Sequence, residues 1–195
     1  MSLPIILGLV VLGLVLYLVS VYNQFQTLKT RIKASIQEIG NQLKRQTDLI
    51  PNLEASVKGY LKHETTIFDK LTEARKQVSA AIKSGVTQKL VEAASAVSSF
   101  LPALRIVIED NPQLKAAATV TQLMDELRDT ADKVMYSRRT LIDLTADFNQ
   151  MTVTFPTNLV ARLFNFTQQP GLTTPETGDH LTVKHEEMST PRVSL

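Results

Sequence analysis

The sequence predicts an all-α protein, in which an N-terminal transmembrane helix is followed by an antiparallel four-helix bundle and a disordered C-terminal tail. Glycine is scarce, at 7 of 195 residues, in a chain rich in residues that favour helices. An uncharged apolar run opens the chain. Apolar residues then recur every three or four positions, which is the period of an amphipathic helix.

The apolar run at residues 3–22 is predicted to be the transmembrane helix, after a short N-terminus at residues 1–2. Twenty helical residues span about 30 Å, which matches a hydrocarbon core. Tyr17 and Tyr22 lie towards its far end, where aromatic rings favour the membrane interface. A cleaved signal peptide would need a basic residue before the run and a small-residue cleavage site after it. Neither is present, so an anchor is favoured.

The charges after the run predict its orientation. No charged side chain precedes it, whereas the segment that follows is rich in cations: Lys29, Arg31, Lys33, Lys44 and Arg45, against Glu38 and Asp48. By the positive-inside rule, the N-terminus lies outside the membrane and the bundle lies in the cytoplasm.

Residues 23–166 are predicted to form the bundle, and Pro51 decides how it begins. The apolar repeat continues in phase through Pro51 until Ser84–Gly85, a helix stop. Either Pro51 kinks one very long helix, or it begins a second helix after a corner. Because the remaining residues of a compact domain could not cover the stripe of so long a helix, we favour the corner. Asp48, Pro51 and Asn52 are its predicted structural residues, with the polar pair satisfying free backbone groups.

Two further helices complete the predicted bundle. The third runs over Thr87–Ile108, with Pro102 either bending it or starting a separate piece. The fourth begins with Asn111 as N-cap and Pro112 in its first turn. It continues to about Thr152, before Pro156.

The C-terminal part of the chain is predicted to lose regular structure. Residues 157–164, TNLVARLF, form a short apolar helix that either caps the bundle or lies against the membrane, and capping is favoured. Residues 167–195 contain Pro, Gly, Thr and charged residues without a period, which is typical of a disordered tail.

No constellation of catalytic or cofactor-binding residues is visible in the sequence. There is no cysteine, no phosphate-binding glycine loop and no nucleophile motif. His63–Glu64 lacks the second histidine of a zinc protease helix, and His180 and His185 lie in the tail. We therefore predict no enzyme activity, no catalytic residue, no metal and no cofactor. The net charge of +2 gives no reason to expect nucleic acid.

Several short motifs occur in an order and spacing that resemble the LemA family of bacterial membrane proteins. They are YNQF (22–25), LKRQTDLIPNL (43–53), VKGYLKHE (57–64), NPQLKA (111–116), LMDEL (123–127), FNQ (148–150) and FPTNLVARLFNF (155–166). The resemblance covers about residues 5–166. The chain departs from it at Leu141–Ile142, where the family often has Tyr-Asn, and at Asn165, where a glycine is usual.

The resemblance implies a four-helix bundle behind one span of the bacterial inner membrane, and it supports the corner at Pro51. It implies no catalytic residues. The expected function is a non-catalytic scaffold or interaction module in membrane organisation, whose partners are the lipid bilayer, unidentified proteins or further copies of the chain in a homo-oligomer. No small-molecule substrate is evident. The alternatives are an accessory partner of a membrane enzyme such as a metalloprotease or, less favoured, an enzyme with an unrecognised site.

Overall fold

A computed structural model describes residues 3–58 and 65–173, and every regular element in these ranges is a helix. The helices are α1 (Leu3–Lys58), α2 (Thr65–Ser84), α3 (Thr87–Asp110), α4 (Pro112–Ala116), α5 (Ala118–Val153) and α6 (Thr157–Leu163). The all-α class and the apolar N-terminal helix are confirmed.

The predicted corner at Pro51 is wrong, because α1 continues through Pro51 to Lys58. A proline inside a helix costs roughly 3 kcal/mol. Ile50 and Leu53 on either side of it are fully buried, and each contributes about 1.5–3 kcal/mol by leaving water. Burial along the apolar stripe therefore outweighs the cost of the proline. Asp48 and Asn52 lie on the exposed side of α1, where the Asn52 amide donates to the Asp48 carbonyl oxygen at 3.3 Å.

The long stripe of α1 is covered because α5 runs beside it in the opposite direction. Near the start of the pair, the Phe25 ring lies 5.3 Å from the ring of Phe148. Further along, Arg45 contacts Glu126 at 3.3 Å. With 36 residues, α5 is about 54 Å long. This length matches the part of α1 that follows the apolar run.

The buried positions of α1 keep to one side of the helix over this whole length. From Val21 to Val57, eleven of the twelve buried positions advance in ten steps of three or four that span 36 residues: 21, 25, 28, 32, 35, 39, 43, 46, 50, 53 and 57. The twelfth, Leu49, lies beside Ile50. The mean step of 3.6 is the period of a straight α-helix. Since the stripe does not drift around the helix, α1 can pack against α5 without the supercoil that a strict seven-residue repeat imposes.

The predicted stop near Gly85 and the predicted N-cap at Asn111 are confirmed, but the predicted fourth helix is divided in two. Ala117 is extended, with φ −79° and ψ 100°, so α4 ends at Ala116 and α5 begins at Ala118. α2 ends at Ser84, and Gly85 follows with a φ of 63°, a conformation that glycine adopts without strain. The Asn111 side chain accepts hydrogen bonds from the amides of Gln113 and Leu114, with Pro112 in the first turn of α4. Pro102 lies inside the single helix α3.

In the described part of the chain, two helices are long and apolar enough to cross a membrane, α1 and α3. The apolar window of α1 is almost wholly exposed, whereas more than a third of the α3 window is buried. α3 packs against α2 and α5 through residues such as Val97, Phe100 and Leu104. This burial is typical of a core helix, so α1 is the candidate span.

The first part of the predicted tail is ordered, which corrects the boundary at residue 167. Residues 167–173 lie against the helices, and Leu172 packs against the core. The remainder, residues 174–195, lies outside the described part of the chain.

Candidate functional site

Five aromatic rings meet where the apolar run of α1 ends, and we call them the aromatic cluster: Tyr22, Phe25, Phe148, Phe164 and Phe166. The rings of Phe25 and Phe166 stack with centroids 4.5 Å apart. Tyr22 lies 4.9 Å from Phe164, and Phe148 meets Phe166 edge-on at 6.3 Å. Such pairs each contribute about 0.5–1.5 kcal/mol beyond the burial of area. The cluster joins α1, α5 and the chain after α6.

The turn after α6 brings Phe166 into this cluster. Asn165 has a φ of 56°, the left-handed conformation in which glycine and asparagine are favoured. The Phe166 amide donates to the Ala161 carbonyl at 2.8 Å, and the Asn165 amide donates to the Arg162 carbonyl at 3.3 Å. These bonds form a Schellman motif, which reverses the chain at the helix end. The backbone at residue 165 therefore accepts asparagine in place of the glycine that the family resemblance leads one to expect.

Beyond the cluster, residues 167–173 form a segment that we call the strap. The Asn149 amide nitrogen donates to the Gln169 carbonyl at 2.9 Å, and the Gln169 amide donates to Asn149 Oδ1 at 2.8 Å. On α3, Gln88 makes the same pair of bonds with Thr173, at 3.3 and 3.2 Å. Two side-chain amides thus hold the strap from α5 to α3.

The predicted interface tyrosines have different surroundings. Tyr17 is exposed on the apolar run, and its place at the membrane interface stays a prediction. Tyr22 is half-buried and contacts the two phenylalanines that follow α6. The sequence reasoning did not bring Tyr22 together with those phenylalanines. The sequence contained a signal, because Tyr22 and Phe25 are the first and last residues of the YNQF motif. Phe148 and Phe166 belong to two of the other quoted motifs.

At the other end of α5, a groove of about 540 Å³ lies between α3 and α5. We call it the α3–α5 groove. Its apolar lining comes from Leu101, Pro102, Ile108, Met124, Ala131 and Met135. Its charged lining has three basic and three acidic side chains: Arg105, Lys115, Arg128, Glu109, Asp125 and Asp132. The groove can accept apolar side chains and surround them with charges of both signs.

Two of the groove charges, Arg105 and Glu109, form an ion pair within α3. Arg105 Nε donates to Glu109 at 2.7 Å. This hydrogen bond, with the negative charge of Glu109, raises the pKa of Arg105 above its ordinary value. No cluster of metal ligands occurs in the described ranges. The tail histidines and His63 lie outside those ranges.

These features define a class of protein in which an apolar N-terminal helix, a candidate membrane span, continues into packed helices that an aromatic cluster closes. More particularly, the chain belongs to the LemA family, a membrane-associated family whose model matches residues 35–185. The match extends beyond residue 166, where the resemblance noted from the motifs ends, and includes the strap. A search of curated proteins finds no match to the chain.

Proposed function

We propose that this protein is a non-catalytic scaffold of the bacterial inner membrane, which acts through contacts between its own copies. The observation that carries the proposal is the continuity of α1 from the apolar run to Val57 in the core. A helix without a flexible joint fixes the height and direction of the packed helices relative to the bilayer. In this proposal α1 beyond Tyr22, with α2, α3 and α5, forms the antiparallel four-helix bundle.

The proposed orientation places the N-terminus outside and the bundle in the cytoplasm. It rests on the cations Lys29, Arg31 and Lys33, which follow the uncharged run. The first of them, Lys29, lies less than two helical turns after Tyr22. Cytoplasmic flanks of spans carry such an excess of lysine and arginine.

The α3–α5 groove is the proposed contact surface between two copies. Each copy is held in the membrane by its own α1, so the grooves of two copies lie at the same height above the bilayer. Two grooves can therefore face each other about a two-fold axis along the membrane normal. In such an interface a residue i of one copy contacts a residue j of the other, and j of the first copy contacts i of the second. The surface must therefore be complementary to itself. The equal number of acidic and basic groove residues meets this requirement, whereas a lining of one sign would repel itself. Met135, 66 % exposed at the groove, supplies an adaptable apolar contact.

Light scattering on the full-length protein in mild detergent tests this function. We expect a defined oligomer for the natural chain and a monomer for Met135→Lys. Tyr136→Lys is the matched control, since Tyr136 is the next residue of α5, is 74 % exposed and does not line the groove. It should keep the oligomer.

Two results would count against self-association through the groove. A monomeric natural chain would exclude it, and crosslinking in native membranes would then test the role of accessory partner to a membrane enzyme. An oligomer that both lysine variants retain would place the contact elsewhere on the molecule.

A further inference from the structure

Helix α6 has two faces of different character. Val160 and Ala161 are buried against the helices beneath. Leu159 and Leu163 face outwards and are 55 % and 67 % exposed. One face of α6 therefore packs on α1 and α5, which fits the predicted capping of the helices, while the other leaves large apolar side chains uncovered.

The uncovered face is larger than α6 itself. Phe155, just before the helix, is 74 % exposed, and Val153, at the end of α5, is 62 % exposed. We call these two residues, with Leu159 and Leu163, the α6 face. Leu159 and Leu163 are four residues apart and share one side of α6, whereas Phe155 and Val153 precede the helix. Exposed large apolar side chains gathered in one part of a folded surface mark a contact site.

The position of the α6 face indicates what covers it. Phe164 directly follows α6, and its ring lies 4.9 Å from that of Tyr22, the last residue of the apolar run. Leu163 is the neighbour of Phe164 in the chain, so the end of the α6 face lies close to the end of the exposed apolar run of α1.

The charges of this end of the molecule fit a lipid surface. Between Asp147 and Glu176 the only charged side chain is Arg162, and it lies in the last turn of α6. α1 likewise has no charge before Lys29. Asp147 is exposed and lines a surface pocket with Phe155, but no carboxylate lies on α6 itself. There the arginine can extend its guanidinium to lipid phosphates while its stem stays among apolar groups.

We propose that the α6 face docks on the membrane interface, in the leaflet where α1 leaves the bilayer, as a second membrane contact of this chain. Amphipathic helices bind there by burying one apolar face at the boundary of headgroups and acyl chains. Since α1 already holds α6 at this level, the second contact is intramolecular. The two contacts together fix the tilt and rotation of the packed helices. This inference rests on α1 being the span that the proposed function requires.

The absence of cysteine from the chain permits a direct test in the full-length protein. Single variants Leu163→Cys, Ile106→Cys and Val10→Cys are labelled with an environment-sensitive fluorophore and reconstituted in phosphatidylcholine–phosphatidylglycerol vesicles. Lipids with a nitroxide at the headgroup or along the acyl chain serve as quenchers. Ile106 is the matched control, because it is apolar and 59 % exposed. It lies beside the groove residue Arg105, far along the helices from Tyr22.

At Leu163 we expect a blue-shifted emission and loss of most fluorescence with headgroup and shallow acyl nitroxides. The Ile106 label should show neither. Adding Leu159→Asp should abolish the quenching at Leu163, with the helical content by circular dichroism unchanged, because a carboxylate opposes insertion. The same aspartate substituted at Tyr136 should leave the quenching intact.

The Val10 label separates this inference from the anchor itself. Quenching of Val10 by deep acyl nitroxides, with a Leu163 label as accessible to water as that at Ile106, would overturn the docking and leave the span intact. A Val10 label outside the acyl region would overturn both. A blue shift at Leu163 without quenching by any lipid nitroxide would mean that protein covers the α6 face, and would also overturn the docking.

Discussion

The two ends of the α1–α5 pair are built from different interactions. At the end near the apolar run, Phe25 and Phe148 are fully buried and meet edge-on, 5.3 Å apart. At the other end, the pair is joined by Arg45 and Glu126, whose side chains are 48 % and 35 % exposed. An exposed ion pair of this kind contributes about 0–1 kcal/mol. The apolar seam also continues at the second end, through buried residues such as Leu53 and Leu127. What the first end adds is its stacked aromatic rings, so we expect the first end to be the more stable one.

Gln46 strengthens this contrast. Its side chain is fully buried in the seam beside Arg45, and neither of its amide atoms has a hydrogen-bond partner in residues 3–58 and 65–173. At the aromatic end the same holds for a single atom of α6, Asn158 Oδ1. An unsatisfied buried polar group costs about 1–3 kcal/mol. We therefore predict that stability is concentrated near the aromatic cluster, while the far end combines the unpaired Gln46 amide with the open α3–α5 groove. A scaffold benefits from this division, because the stable end defines its position and the looser end can adapt to a partner.

The largest expected effect comes from breaking the stable end. Phe25→Ala removes a buried ring that contacts Phe148 and Phe166. Loss of a buried phenylalanine costs about 3–5 kcal/mol, so the melting temperature should fall on the order of 10 °C. Thermal unfolding of the full-length protein in detergent, followed by circular dichroism, measures this fall.

Tyr136→Ala is the control for that substitution. Tyr136 is an aromatic residue of the same helix as Phe148 and is 74 % exposed, so its loss should leave the melting temperature nearly unchanged. Equal melting temperatures for the two variants would show that the cluster does not concentrate stability at this end.

The second prediction sharpens the comparison from the weaker end. Pro51→Ala restores an amide that can donate to the Thr47 carbonyl and removes the ring that crowds it. Because Pro51 lies inside α1, the substitution should raise the free energy of unfolding by up to about 3 kcal/mol. Chemical denaturation in detergent provides the measurement.

Pro112→Ala is the matched control, since Pro112 lies in the first turn of α4, where an amide has no helical acceptor in any case. Its stability should stay close to that of the natural chain. A loss of stability in Pro51→Ala would instead favour a role for the proline in shaping a corner or kink that the protein needs.

Pro51 also shows where sequence reasoning reached its limit. The period of the stripe and its phase through the proline were visible in the sequence, and they indicated one helix. The corner is preferred from the sequence because the remaining residues of a compact domain are not expected to cover the stripe of so long a helix. Local residues do not reveal that the 36 residues of α5 run beside α1 over the whole stripe, since this depends on contacts such as that between Arg45 and Glu126.

The strap was missed for a similar reason. Composition averaged over residues 167–195 predicts disorder, yet the strap is held by side chains of Asn149 and Gln88, which are distant in sequence. The family motifs contained part of the answer, because FNQ places Asn149 beside Phe148. The helix class, the Asn111 cap and the stop at Gly85 were predictable because each depends on adjacent residues.

The smallest expected effect concerns the strap, which links the stable end to α3. Asn149→Ala removes two hydrogen bonds to Gln169, each with a net contribution of about 0.5–1.5 kcal/mol. Since 1.4 kcal/mol corresponds to a factor of ten, the Gln169 amide should exchange with deuterium roughly tenfold faster or more. Exchange measured by mass spectrometry on the full-length protein in detergent reports this change.

Gln150→Ala provides the comparison for Asn149→Ala. Gln150 is the next residue of α5 and its side chain is exposed, so the exchange of the strap should not change. The two variants should also have similar melting temperatures, because the aromatic cluster stays in place when the strap is released. If Asn149→Ala lowered the melting temperature as far as Phe25→Ala does, the strap would belong to the stable end, and the boundary between the two ends would have to be moved towards α3.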